Sequence, residues 1–157
     1  EHLPVSLRFI EFMDVGNHNR WRHNDVVPSS EIQNHLKKRM NLIPIDSIYR
    51  GEVAQRWKVE GKNGFEIGFI SSVSQPFCGD CTRARISSDG HLFTCLFAST
   101  GTNLKSILRN ENDENSLQEA ISEIWKFRDD RYSELRSKSK KPGTIILPKI
   151  EMSYIGG

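Results

Sequence analysis

The chain reads as a mixed α/β protein, on three observations. Apolar residues recur at helical spacing behind two capping-box patterns, Ser30 with Gln33 and Ser116 with Glu119. Between those helices lie runs of two-residue alternation bounded by turn formers. All three cysteines of the 157 residues fall in that strand-rich middle, spaced C-x2-C-x13-C as Cys78, Cys81 and Cys95.

Taken in order, residues 4–15 are apolar and β-favouring, with Arg8, Glu11 and Asp14 set among Leu7, Phe9, Ile10, Phe12 and Met13. This fits a buried strand whose C-terminal end meets a polar cavity, and equally an ordinary amphipathic strand. Residues 17–27, with two histidines and two arginines, read as a solvated loop. A helix follows from Ser30, with Ile32, Leu36 and Met40 on one face and Pro44 ending it. Residues 49–59 and 65–70 read as strands joined by Gly61-Lys62-Asn63-Gly64, with Trp57 assigned to the core. Residues 82–87 and 91–96 form a hairpin about Ser88-Asp89-Gly90, and the four strands together predict a small antiparallel sheet. A short helix over 102–108 and a solvated loop over 109–115 lead to a long helix from Ser116 to about Arg136. Leu117, Ala120, Ile121 and Ile124 form its buried stripe, widened by Trp125 and Phe127. Residues 137–143 are a flexible basic linker before an apolar end and Gly156-Gly157.

The length suggests one domain with a modest core. A hydrophobic fraction of 36%, a net charge of +2 and a mean hydropathy of −0.54 describe a polar chain without the charge excess of a bulk nucleic-acid binder. No run has membrane-spanning length, and nothing resembles a signal peptide. An odd number of clustered cysteines favours a reducing compartment and metal over disulfides.

Three thiols so close together point to a metal or cluster. Structural zinc takes four protein ligands, and the nearby fourth candidate is His91. On an extended strand His91 and Cys95 would sit about 13 Å apart, whereas two ligands of one zinc lie within roughly 4 Å. His91 fits only if the hairpin breaks. Three thiolates with a vacant coordination position suit a [4Fe–4S] cluster that keeps one iron open. On a strand from Cys81 the two-residue period places Cys81, Arg83 and Arg85 on one face. Guanidinium groups there suit a polyanion such as phosphate, or ordinary salt bridges.

The stretch Gly68-Phe69-Ile70-Ser71-Ser72-Val73-Ser74-Gln75-Pro76-Phe77-Cys78-Gly79-Asp80-Cys81-Thr82-Arg83-Ala84-Arg85 resembles the C-terminal cluster motif of the GTP 3′,8-cyclase family. These are radical S-adenosylmethionine (SAM) enzymes of molybdenum-cofactor biosynthesis. The resemblance extends to Leu7-Arg8-Phe9-Ile10-Glu11-Phe12-Met13-Asp14-Val15-Gly16-Asn17, to Tyr49-Arg50-Gly51-Glu52, to Leu92-Phe93-Thr94-Cys95-Leu96-Phe97 and to Gly156-Gly157. The family's N-terminal C-x3-C-x2-C motif has no counterpart here, so the chain resembles the C-terminal half of such an enzyme.

The resemblance implies a fold and a set of roles. The fold is the C-terminal part of a partial (β/α) TIM-like barrel plus a small antiparallel sheet carrying the cluster motif. Residues 1–44 would end the barrel, 45–136 would be the cluster-binding part with its helices, and 137–157 the linker and tail. Cys78, Cys81 and Cys95 would hold a [4Fe–4S] cluster, Arg83, Ala84 and Arg85 would bind GTP, and Met13 would contact SAM. The implied reaction joins ribose carbon 3′ of GTP to guanine carbon 8, by radical chemistry started from SAM in the other half, so this half alone is expected to be inactive. The Gly-Gly tail is implied to reach the active site.

The expected partners are GTP, the N-terminal half of the same enzyme and, in a homodimer, a second copy of the chain, with neither nucleic acid nor membrane among them. The second copy follows from the bare edge that the strand at 5–15 would present. The expected location is the cytoplasm, or the mitochondrion in a eukaryote. The rival readings are a zinc-binding adaptor using His91 and an iron–sulfur electron-transfer protein.

Overall fold

The computed structural model describes residues 4–110, 114–138 and 148–155. Gly156-Gly157 and most of the basic linker lie outside the described residues. The chain divides into two compact units. Among described residues the first comprises 4–13, 21–81 and 133–138, and the second 14–20, 82–110, 114–132 and 148–155.

The first unit is a four-stranded mixed sheet with a helix on one face. Its strands are β1 (Val5–Ile10), β2 (Leu42–Ile45), β3 (Gln55–Val59) and β4 (Phe65–Ile70), in the order β1-β4-β3-β2. β1 runs parallel to β4, with Phe9 opposite Phe69, while β3 is antiparallel to both β4 and β2. The alternation of β4 decides the faces. Ile67 and Phe69 are buried with Leu42 and Val59, and helix α1 (Ser29–Lys37) packs Ile32 and Leu36 against them. Phe9 stacks on Phe69 at 5.5 Å.

The opposite face is ionic. Arg56 grips Glu66 through two guanidinium nitrogens, Nε to Oε1 at 3.0 Å and Nη2 to Oε2 at 2.5 Å, and Arg8 Nη2 reaches Oε1 at 2.6 Å. The Arg56 hydrogen bonds, with Arg8 adding to them against partial burial, hold the Glu66 carboxyl at about 2. A Cβ at Gly68 would lie 2.6 Å from Arg8 Cδ, so a larger residue there would displace the Arg8 side chain.

The second unit is built on much shorter strands. β5 (Arg85–Ile86), β6 (His91–Phe93) and β7 (Thr102–Asn103) form an antiparallel three-stranded sheet. The β5–β6 turn closes with the Gly90 N–H donating to Ser87 O, and Gly90 takes φ +86°, a conformation open to glycine. Helices α2 (Leu104–Asn110) and α3 (Glu114–Lys126) follow, and α4 (Tyr132–Lys138) has only its first residue in this unit, the rest belonging to the first. Leu92, Phe93, Phe97, Leu104 and Ile155 are buried.

Several expectations are corrected. The strands of the middle region make two sheets rather than one, because β4 finds a parallel partner in β1. α1 ends at Lys37, where Leu36 O accepts the N–H groups of both Arg39 and Met40. Pro44 lies in β2, at the sheet edge, where proline is tolerated. Ser30 caps nothing. Pro28 is the N-cap, and the Ser29 N–H goes to Glu11.

The long helix expected from Ser116 starts at Glu114 and stops at Lys126, separate from α4. In the break, Arg128 pairs with Asp130 at 3.1 Å and lies 4.8 Å from the Trp125 ring. Trp125 and Phe127 are exposed rather than part of a buried stripe. No helix among the described residues is long and apolar enough to cross a membrane.

Candidate functional site

At the C-terminal end of β1, Glu11 is 3% exposed and its carboxylate gathers four donors. Oε1 accepts the Ser29 N–H at 2.8 Å and the Ser74 hydroxyl at 2.6 Å, and Oε2 accepts the Val73 and Ser74 N–H groups at 2.8 Å each. Burial pulls its pKa up, but the four hydrogen bonds to the charged form outweigh it and the group titrates below its ordinary value. One side chain thus ties the start of α1 and the 71–74 turn to the end of β1.

The chain runs from that turn into the cysteines. Cys78–Asp80 is a single 3₁₀ turn, with the Cys81 N–H donating to Cys78 O at 3.3 Å, so the first two thiols bracket one tight bend. α4 supports it: Glu134 Oε1 accepts the Gly79 N–H at 3.2 Å, and Arg136 Nη2 donates to Ser72 O at 3.0 Å. Arg136 also lies 5.6 Å from the Trp21 ring, and Trp21 Nε1 donates to Phe12 O at 2.7 Å. Met13, half-buried, follows β1 in the first unit.

The third thiol belongs to the second unit. β6 ends at Phe93, and a turn follows in which the Ala98 N–H donates to Cys95 O and the Phe97 N–H to Cys95 Sγ at 3.4 Å. Arg85 lies in β5 opposite Phe93. Arg83 and Ala84 precede the strand, which holds Arg85 and Ile86 only. The expected strand face shared by Cys81, Arg83 and Arg85 is therefore absent, since the 3₁₀ turn occupies the chain up to Asp80 and β6 offers a short partner. β6 also stops short of Cys95, so the fully extended spacing from His91 does not apply. His91 Nδ1 lies 3.0 Å from Asp89 Oδ2.

The 17–27 loop is mostly exposed, as expected, but its N-terminal end is anchored, and it carries an ion pair of its own. Asn17 Nδ2 donates to Lys149 O at 2.6 Å and to Glu151 Oε1 at 2.8 Å, and Arg22 pairs with Asp25 at 2.8 Å. The reading of the sequence missed Lys149. This lysine is 7% exposed, with Nζ donating to Asp14 Oδ2 at 2.8 Å and also to Asp14 O. The Tyr132 hydroxyl donates to the same Asp14 oxygen at 2.6 Å. The available signal was a lone charge in the apolar run of residues 145–150.

All three cysteines are half-buried thiols outside any disulfide. Their donor chemistry suits a thiolate-held iron–sulfur group: two bracket one tight turn, and the third has a backbone N–H on its sulfur. Among the described residues, no three His, Cys, Asp or Glu side chains gather as a metal-binding group.

The family description Molybdenum Cofactor Synthesis C matches residues 5–134. The chain belongs to this family. It is 50% identical over 154 residues to a GTP 3′,8-cyclase of Xanthomonas campestris pv. campestris, covering 96% of the chain and 42% of that protein. It is 46% identical over 172 residues to one of Acidothermus cellulolyticus, covering 96% of the chain and 47% of that protein. A third, of Parasynechococcus marenigrum, is 44% identical over 156 residues and 98% of the chain. The chain thus spans less than half the length of these curated relatives, and it corresponds to their C-terminal part.

Proposed function

We propose that this chain is the C-terminal half of a radical SAM GTP 3′,8-cyclase, in which Cys78, Cys81 and Cys95 hold a [4Fe–4S] cluster beside the GTP site. The observation that carries this is the C-x2-C-x13-C spacing inside a chain 44–50% identical to GTP 3′,8-cyclases over nearly its whole length. When bound, such a cluster supplies an iron that can take the guanine base as a ligand. The chain's own residues then do the positioning. Arg85, fixed on β5, and Arg83 with the Ala84 backbone offer donors for the triphosphate. Met13, just after β1, is assigned to SAM. In the whole enzyme the first unit would continue a partial (β/α) barrel, and the strand edge of β1 would meet the preceding half. His91 takes no part in this reading, and its contact with Asp89 at 3.0 Å gives it a role in the hairpin.

Iron and sulfide analysis of the anaerobically reconstituted chain, with and without GTP, tests the reading. The parent is expected to take up both elements and to change its cluster spectrum on adding GTP. Cys78→Ala is expected to take up neither, and Arg85→Ala to keep the cluster while binding GTP more weakly by about tenfold, the loss of one charge-assisted contact. One equivalent of zinc without sulfide would instead support the adaptor reading, and a cluster whose spectrum ignores GTP the electron-transfer reading.

A further inference from the structure

Lysine is almost never fully buried unless paired. Lys149 is 7% exposed, and its surroundings form a closed box in the second unit. The ammonium donates to the side chain and backbone of Asp14, lies 4.7 Å from the Tyr132 ring centre and 5.3 Å from that of Phe97, and those two rings stack at 4.5 Å. Tyr132 completes the box by donating its hydroxyl to Asp14. A buried ion pair of this kind is weak as a source of stability, since apolar residues of similar volume often do as well or better. Its strength lies in geometry, because each partner has directional demands.

That geometry bears on one turn. Phe97 is a wall of the box, and its N–H donates to Cys95 Sγ at 3.4 Å. The neighbouring Ala98 donates its N–H to Cys95 O at 3.3 Å and accepts the Ile150 N–H at 3.0 Å, one residue beyond Lys149. The segment around Lys149 therefore grips the 95–98 turn twice, through the Phe97 ring and through the Ala98 carbonyl. We infer that Lys149 is a positioning residue for Cys95: with Asp14 and Tyr132 it locks Phe97, and so holds the Cys95 sulfur in the arrangement that accepts the Phe97 N–H. In terms of the proposed function, on which this part rests, the third cluster ligand is preset by a hydrogen bond of the kind that orients metal ligands from outside.

The test uses the chain free of metal, with Cys78 and Cys81 as internal references in the same molecule. Alkylation by iodoacetamide at one pH, read by mass spectrometry of the three cysteine peptides, gives three rates per sample. Lys149→Met keeps the length and removes the charge, and is expected to raise the Cys95 rate on the order of tenfold through local opening of the turn, with the other two rates unchanged. Because Lys149→Met strands the Asp14 carboxylate and can unfold the chain, the double variant Asp14→Asn/Lys149→Met, which removes both charges, is measured beside it and is expected to show the same selective rise. An unchanged Cys95 rate, or all three rates rising together in both variants, overturns the inference.

On reconstituted protein, the double variant is expected to lose iron to a chelator faster than the parent, and equal loss counts against the inference. A parent that takes up no iron and sulfide defeats the proposed function instead. The alkylation rates then still decide whether Lys149 sets the turn.

Discussion

The two units are held together by different physics. In the first, strands of four to six residues form a continuous backbone ladder over an apolar core of Leu42, Val59, Ile67 and Phe69. In the second, the three strands have two or three residues each, and the irregular segments are tied down by carboxylates: Asp14 to Lys149, Glu151 to Asn17 and Asp89 to Tyr154. Burial is non-directional and roughly proportional to area, whereas a charge-assisted hydrogen bond fixes the orientation of both partners. The first unit is thus a scaffold carried mainly by its apolar core, with the Glu11 carboxylate as a polar tie within it. The second holds Arg83, Arg85 and Cys95 on a part of the chain whose shape depends on individual side chains.

That contrast predicts where mutations hurt most. Phe69→Ala removes a side chain of zero exposure that stacks on Phe9 at the centre of the first unit. The loss is expected at about 3–5 kcal/mol, enough to unfold a chain of marginal stability. Denaturant titration followed by far-ultraviolet circular dichroism measures it. A cost under about 1 kcal/mol would mean that the core does not dominate this unit.

Glu11→Gln is expected to come next, because Glu11 is the polar exception within the scaffold. The amide presents N–H groups where the native oxygens face three backbone donors and a hydroxyl, and the expected cost is roughly 2–3 kcal/mol. The pH dependence checks the cause. Because the folded pKa of Glu11 lies below its ordinary 4.5, its contribution is complete above that value and is lost as pH falls through the folded pKa. The gap between parent and variant should be widest near neutral pH and narrow in acid. A gap that stays constant as pH falls would remove the carboxylate as its source.

The same contrast explains what was legible in the sequence. Period-two alternation with turn formers located β3, β4 and the β5–β6 turn, because in strands the pattern is the cause of the burial. It could not say that β4 would take β1 as a parallel neighbour, since pairing across sixty residues leaves no local mark. Pro44 read as a helix stop because the sequence does not show that Leu42–Ile45 sits at an edge. At the candidate site, the clustered thiols stood out through their spacing. The anchors around them did not: Lys149 and Asp14 are 135 residues apart, and Glu11 meets Ser74 across 63. A polar contact of that range has no periodicity to betray it, and the apolar surroundings of Lys149 were its one local sign.

The mildest change probes the second unit at its most exposed clamp. Asp89 Oδ1 accepts the Ser87 hydroxyl at 2.5 Å, and Oδ2 accepts the Tyr154 hydroxyl at 2.6 Å with His91 Nδ1 at 3.0 Å. Those hydrogen bonds, Ser87 and Tyr154 first, hold the Asp89 carboxyl well below the usual range. Tyr154→Phe deletes one of the donors and leaves the ring, which meets Phe93 edge-on at 6.3 Å. The oxygen it frees stays accessible to water, and the 152–154 turn keeps its own bonds, Tyr154 N–H to Glu151 O and Ile155 N–H to Met152 O. Ile155, 2% exposed, still anchors the segment. The melting midpoint should therefore stay in place, while hydrogen exchange at the amides of Tyr154 and Gly90 accelerates several-fold by local opening. If the midpoint instead falls as far as it does for Glu11→Gln, the clamps contribute to global stability as the apolar core does, and the division of labour between the two units is wrong.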